Sequence, residues 1–191
     1  MLSVVRTAPP TELDAATLRR AAAGDDAACR TLVELYQARV FALVSRMLAR
    51  RGRATVEDAA QETFLQVFRQ LAKFDPKGSA RLSTWILTIA ARRAIDELRR
   101  QRPMLVAEPE QIELDRRGDE RAIRRELAQA IEGALRDLSP ELRAAFLLRE
   151  YHDLDYGEIA SSLGIELGTV KSRLARARAA LRQRLAEVHR E

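Results

Sequence analysis

DYGEIASSLGIELGTVKSRLARAR, residues 155–178, decides the reading of this chain. Asp155 and Glu158 have the D-x-x-E spacing that caps a helix start. Ile159, Ala160 and Leu163 supply the inward side of that helix, and Ala160 is small enough for a close crossing. Gly164 permits a sharp turn. A second helix is expected from about Leu167 to Val188. Advancing about 100° per residue from Val170 brings Leu174, Ala177, Leu181 and Leu185 within roughly 60° of it, one buried stripe. The far side carries Thr169, Lys171, Ser172, Ala175 and Arg176. These are residue types that reach base edges from the major groove, arginine pairing best with guanine. Arg173 and Arg178 flank the stripe and suit phosphate contacts. The plain alternative is a solvated basic face on an ordinary bundle. The Ala160, Gly164, Val170, Leu174 framework favours a helix-turn-helix for DNA.

The rest of the chain agrees with a helical protein. Its 191 residues are 47% hydrophobic and 32% charged, with Gly and Pro scarce, which fits one or two small all-α domains. Net charge is +5, and its distribution matters more than its size. Glu166–Arg190 holds seven Lys/Arg against two acids, whereas Pro103–Glu120 holds six acids against two arginines. Cys29 is the single cysteine, so no intrachain disulfide or cysteine-cluster metal site is possible. His152 and His189 lack ligand spacing. There is no Ser-His-Asp set, no phosphate-cradling glycine loop and no metal motif, so no catalytic residue, metal or cofactor is expected. No signal peptide and no apolar run of about 18 residues is found, which points to a soluble, cytoplasmic chain without membrane insertion.

Periodicity divides the chain. Residues 1–11 read as an arm ended by Pro9 and Pro10, followed by a domain over 12–102, an acidic linker over 103–119 and a second domain over 120–188. A short helix is expected from Leu13 to Ala23, and a long amphipathic one from Asp26 to Arg50 whose apolar set includes Leu32, Tyr36, Val40, Phe41, Val44 and Met47. Thr55 is the expected cap of the next helix, with an inward stripe of Ala60, Phe64, Val67/Phe68 and Leu71. Asp58, Gln61 and Glu62 then point outward, either as a plain solvated face or as a binding patch. FDPKGSAR (74–81) is a loop, and Ser83 is the expected cap of a helix from Thr84 to about Arg100. Trp85 sits beside Lys77, Ser79 and Arg81, either as a core residue or as a platform for an unpaired base. Arg92 and Arg93 belong to a basic run that either follows a phosphate backbone or keeps the helix end soluble.

DAAQETF (58–64), the FDP-x-G loop, LSTWILTIA (82–90) with ARRAIDELRR after it, LSPELRAAFLLREY and GTVKSRLARAR occur in one order. This ordered set resembles the extracytoplasmic-function (ECF) group of bacterial RNA polymerase sigma factors, over about residues 12–187. The resemblance implies two helical domains, sigma regions 2 and 4, joined by a flexible linker. It implies core RNA polymerase, through its β and β′ subunits, and promoter DNA as partners, together with an anti-sigma factor. By resemblance, Asp58, Gln61 and Glu62 grip the β′ coiled coil. Lys77 to Ser83, including Ser79 and Arg81, with Trp85, open the −10 element and hold an extruded base, and Arg92 and Arg93 lie where that element is read. Thr169, Lys171, Ser172, Arg173 and Arg176, flanked by Arg178, match the helix that reads the −35 element. The linker would run through the RNA exit path. Two positions depart from the pattern: Arg92 stands where relatives often carry asparagine, and the IELGT turn lacks a proline common before GTV. A stand-alone repressor using the same helix-turn-helix is the competing reading, and a sigma-like protein that sequesters a partner is a third.

Overall fold

The computed structural model describes residues 11–49, 51–78, 80–100 and 129–188, and every regular element among them is helical. The acidic linker and Ser79 lie outside the described residues. The N-terminal half contains α1 (Ala15–Ala22), α2 (Asp26–Met47), α3 (Gly52–Gln70) with a 3₁₀ turn Leu71–Lys73, and α4 (Leu82–Arg100). The C-terminal half contains α5 (129–137), α6 (Pro140–Glu150), α7 (Tyr156–Leu163) and α8 (Leu167–Val188). No described helix is long and apolar enough to cross a membrane.

Local chemistry sets these boundaries. Asp14 caps α1 by accepting the N–H groups of Ala16 and Thr17, each at 2.9 Å, and Asp25 caps α2 by accepting that of Ala28 at 2.8 Å. Ser139 followed by Pro140 starts α6 with its hydroxyl accepting the Leu142 N–H, as the Ser-Pro pair predicts. Two expected caps are corrected. α3 starts at Gly52, whose φ of +78° suits the entry, so Thr55 lies inside its first turn and donates to the Arg51 carbonyl instead. Ser83 is likewise inside α4, where its N–H and hydroxyl both donate to the Glu12 carboxylate. Glu12 also accepts the Tyr36 hydroxyl (3.1 Å), which in turn accepts the Leu13 N–H (3.1 Å). One carboxylate from the chain entry therefore ties α2 to the start of α4 and satisfies a donor that a side-chain cap would ordinarily take.

α2 is the central rod of the N-terminal half. Leu32, Tyr36, Val40, Leu43, Val44 and Met47 are buried along it, each large apolar side chain contributing about 1.5–3 kcal/mol by leaving water. Phe41, expected in this stripe, is instead 44% exposed. The α3 stripe is also rotated from the expected one. Val56, Ala59, Thr63 and Val67 are fully inward, and Ala60, Phe64 and Phe68 are half-buried at its edge. Thr63 fits because its hydroxyl donates to the Ala59 carbonyl at 2.7 Å, so no polar atom is stranded. Ala90, Ala91 and Ala94 give α4 a flat face for close approach.

The two halves are not held by the linker alone. α6 and α7 pack on α4, α6 also packs on α2, and the buried apolar residues of both halves form one continuous cluster. Arg143 of α6 is 6% exposed, and its guanidinium donates to the Met47 carbonyl of α2 (2.6 Å) and to the Arg136 and Leu138 carbonyls (2.6 and 3.1 Å). Arg39 of α2 donates to the His152 carbonyl (3.3 Å). His152 is buried between the two halves, and burial, with Arg39 and Arg46 nearby, pushes its pKa down to about 3.

Candidate nucleic-acid interface

The capping box at residues 155 and 158 is present as the spacing predicts. Asp155 Oδ1 accepts the Glu158 N–H and Glu158 Oε2 accepts the Asp155 N–H, both at 2.8 Å. α7 ends at Gly164 in the left-handed region (φ +65°, ψ +44°), and the Ile165 N–H closes back on the Ala160 carbonyl at 3.0 Å. A shallow groove lined by Ala160, Ser161, Gly164, Ile165 and Glu166 separates α7 from the start of α8. Val170, Leu174, Ala177 and Leu181 are buried beneath α8, as its periodicity predicts.

This packing aims the opposite face of α8 at solvent. Lys171, Ser172, Ala175 and Arg176 are exposed, while Thr169 and Arg173 are half-buried beside them. Ser172 donates back to the Thr169 carbonyl (2.9 Å), and Arg176 Nε lies 3.4 Å from the Ser172 carbonyl. These side chains therefore run along the helix and are free to turn to a ligand at small cost. Arg178 is placed differently. Its guanidinium pairs with Glu150 of α6 at 2.7 and 3.2 Å, and that hydrogen bond raises its pKa further.

The N-terminal half presents a second surface. Asp58 and Gln61 are exposed on α3, and Glu62 is half-buried and accepts from Arg69 (3.2 Å). Leu65, 50% exposed, continues the same face at the seventh residue from Asp58. Sequence reasoning passed over Leu65. The signal was its place between Phe64 and Gln66, off the inward stripe yet apolar.

A third group gathers at the start of α4. Lys77 and Arg81 are exposed, and Asp75 fixes the loop by accepting the Lys77 N–H (2.9 Å) at its side chain and the Gly78 N–H (3.1 Å) at its carbonyl. Trp85 is half-buried with its ring tilted 42° against Phe74, centroids 5.2 Å apart, so one side is supported by the protein. Arg92 and Arg93 follow about two turns further along α4. Arg92 is exposed, yet one edge of its guanidinium is tied to α7. Its Nε donates to the Ser162 carbonyl of α7 (2.8 Å) and its Nη2 lies 3.4 Å from that of Ser161. Arg93 is half-buried, with its Nε buried. The described residues contain no group of His, Cys, Asp and Glu suited to a metal ion.

Comparison with known proteins places both halves. Residues 32–103 match the family described as Sigma-70 region 2, and residues 128–181 match Sigma-70, region 4. The chain is similar to an ECF RNA polymerase sigma factor, SigK of Mycolicibacterium vanbaalenii, at 34% identity over 90% of this chain and 88% of the relative. Among solved structures it is similar to CnrH in complex with the cytosolic domain of CnrY (TM-score 0.65, 25% identity, 90% of this chain and 96% of that one). The fold is also that of the sigma factor RpoE in complex with the anti-sigma factor NepR from Bartonella quintana (TM-score 0.62, 23% identity, 82% of this chain and 96% of that one).

Proposed function

Because this chain belongs to the ECF sigma factors of bacterial RNA polymerase, we infer that its exposed surfaces divide the labour of promoter recognition among three groups of residues. As a sigma factor it directs promoter-specific transcription initiation by binding core polymerase and recognising −35 and −10 elements. The residue assignments below are proposals. Their chief support is the outward face of α8, where a buried apolar stripe forces Lys171, Ser172 and Arg176 to the surface at a helix-turn-helix.

In this reading Thr169, Lys171, Ser172, Arg173 and Arg176 read the −35 duplex, with Arg176 and Lys171 carrying most of the base contact. Arg178 buttresses α8 against Glu150. Asp58, Gln61 and Glu62, with Leu65 as an apolar centre, grip the β′ coiled coil. Lys77, Ser79 and Arg81 draw in the displaced strand, and Trp85, backed by Phe74, stacks on an extruded base. Arg92 and Arg93 contact the −10 element. Capture of a flipped base offsets the few kcal/mol needed to unstack it, which couples strand opening to sequence recognition. The contribution is binding energy, without bond-making chemistry in the chain itself. An anti-sigma factor is the expected regulator, since the neighbour from Bartonella quintana is bound to one.

The test is reconstitution. Purified protein is added to sigma-free core polymerase on a promoter library. Initiation confined to a defined sequence class supports the reading, and initiation at random or none at all sinks it.

A further inference from the structure

The start of α4 is capped from a distance. A helix leaves the N–H groups of its first turn without partners, and a neighbouring side chain ordinarily accepts one of them. Here the Ser83 N–H donates to Glu12 Oε2 (3.3 Å) and the Ser83 hydroxyl to Glu12 Oε1, although Glu12 stands 71 residues earlier in the chain. A carboxylate also suits the positive end of the helix dipole. The carboxylate is itself held. Tyr36 of α2 donates its hydroxyl to Oε2 (3.1 Å), and that hydroxyl accepts the Leu13 N–H (3.1 Å). Tyr36 is buried, and burial with the carboxylate beside it raises its pKa, so the phenol keeps the proton it donates. Two residues after Glu12, Asp14 caps α1, whose Leu18 and Ala21 are buried and which packs on the 3₁₀ turn Leu71–Lys73. Phe74 follows that turn and carries the ring that supports Trp85. The chain entry thus fixes both flanks of the loop 74–81, with α1 under the incoming flank and Glu12 on the outgoing one.

We propose that Glu12 is a positioning residue for strand opening: through Ser83 it sets where the first turn of α4, and with it Trp85, stands against Phe74. The inference rests on the assignment of Trp85 and its loop to the extruded base. Trp85 lies two residues past Ser83, and its own N–H makes the first-turn bond to the Arg81 carbonyl (3.0 Å). A turn of helix forms and moves as a unit, so release of Ser83 moves the indole too. Capture of a flipped base rewards only a ring already in place, because a misplaced platform forfeits stacking while the cost of unstacking stays. Glu12 itself is exposed, so its loss leaves the helices standing. The residues assigned to −35 reading and to polymerase binding lie elsewhere, on α8 and on the outer face of α3. Loss of Glu12 should therefore injure opening and spare those two steps.

Trp85 is the single tryptophan of the chain, which gives a direct readout. Glu12→Ala and Ser83→Ala should each shift its emission to longer wavelength and raise its quenching by acrylamide. Circular dichroism and binding to an isolated −35 duplex should stay those of the parent chain. Holoenzyme carrying Glu12→Ala should open a duplex promoter at least about tenfold more slowly, since hydrogen bonds to a charged group are worth that order. On a template already mismatched across the −10 element, the deficit should shrink to within about twofold, because unpairing is no longer required. Ser83→Ala added to Glu12→Ala should cost little more, since both remove the same link. Glu12→Gln keeps an acceptor oxygen at the same reach and should recover part of the rate. If Glu12→Ala lowers helicity, Ser83→Ala, which leaves the carboxylate bonded to Tyr36, carries the same readings. An unmoved tryptophan spectrum, equal opening of duplex by parent and variant, additive deficits, or a deficit of the same size on the mismatched template overturns the proposal. Failure of the reading as a sigma factor shows in the parent holoenzyme, which would then not initiate at a promoter, whereas failure of this inference shows only in the variants.

Discussion

Arg178 on α8 and Glu150 on α6 form an ion pair with N–O distances of 2.7 and 3.2 Å, while Arg176, two residues earlier, faces solvent. Two arginines of one helix are thus placed differently, one held to α6 and the other exposed. Arg176→Ala should weaken binding by about 1–3 kcal/mol and relax preference at a single −35 position. Arg178→Ala should leave that preference intact and lower the melting temperature of the protein. Binding to a set of −35 variants, with a melt of each protein, separates the two. Selectivity unchanged by loss of Arg176 would mean that the face of α8 is misassigned.

Arg143 serves three carbonyls from a buried position. Arg143→Ala strands them together, and a cost of about 2–4 kcal/mol is expected, since each lost charge-assisted bond is worth about 1.5–3 kcal/mol and water enters to repair part of the loss. Arg143→Lys should recover only a fraction, because one ammonium cannot reproduce a planar fork. Denaturant titration reads both values, and a full recovery by lysine would contradict the geometric account.

The helix-turn-helix was legible in the sequence because its determinants are local. Asp155 and Glu158 are three residues apart, Gly164 ends the helix they begin, and Val170 to Leu181 bury one stripe. The seam between the halves was not legible. The acceptors of Arg39, Arg92 and Arg143 are backbone carbonyls, which carry no sequence signature. Thr55 and Ser83 were misread for a related reason. Both are good capping types, yet a glycine with positive φ opens α3 and a distant Glu12 satisfies the start of α4. The α3 stripe was displaced because a threonine that bonds its own helix, Thr63, can be buried like valine.

Leu65 offers a test of the proposed polymerase-binding face. It is half exposed, so Leu65→Asp should change folding stability by no more than about 0.5 kcal/mol. Affinity for core polymerase should nevertheless fall by about tenfold or more, as for an apolar anchor at the centre of a polar patch. Gln61→Ala with Glu62→Ala should act in the same direction, with little change in binding to isolated −35 duplex. Titration of labelled protein with core polymerase measures each. Unaltered affinity in both variants would remove α3 from the interface.

His152 predicts an acid sensitivity. Its folded-state pKa, near 3, lies below the ordinary value of 6.5, so between those values the unfolded chain binds a proton that the folded chain does not. Stability is therefore complete above about pH 6.5 and declines as the pH falls, with a limiting slope of about 1.4 kcal/mol per pH unit. Glu141 adds to the decline at lower pH. Burial alone would raise its pKa, but the Arg99 hydrogen bond brings it below the ordinary 4.5, so its contribution disappears as the carboxylate protonates in that acid range. Chemical denaturation from about pH 7.5 to about 5 should show the His152 slope, and His152→Leu should flatten it. An equal slope in both proteins would place the proton uptake elsewhere.

The carboxylate of Glu12 has a practical corollary. It lies outside the helices, where a shortened expression clone or a bulky leader fused too close would readily disturb it, yet it anchors both Tyr36 and the first turn of the helix bearing Trp85. A clone begun at Asp14 should still yield a helical product by circular dichroism while the tryptophan corner, left without its tether, handles melted DNA poorly. Trimming the front of this polypeptide would thus injure the far end of its own tool.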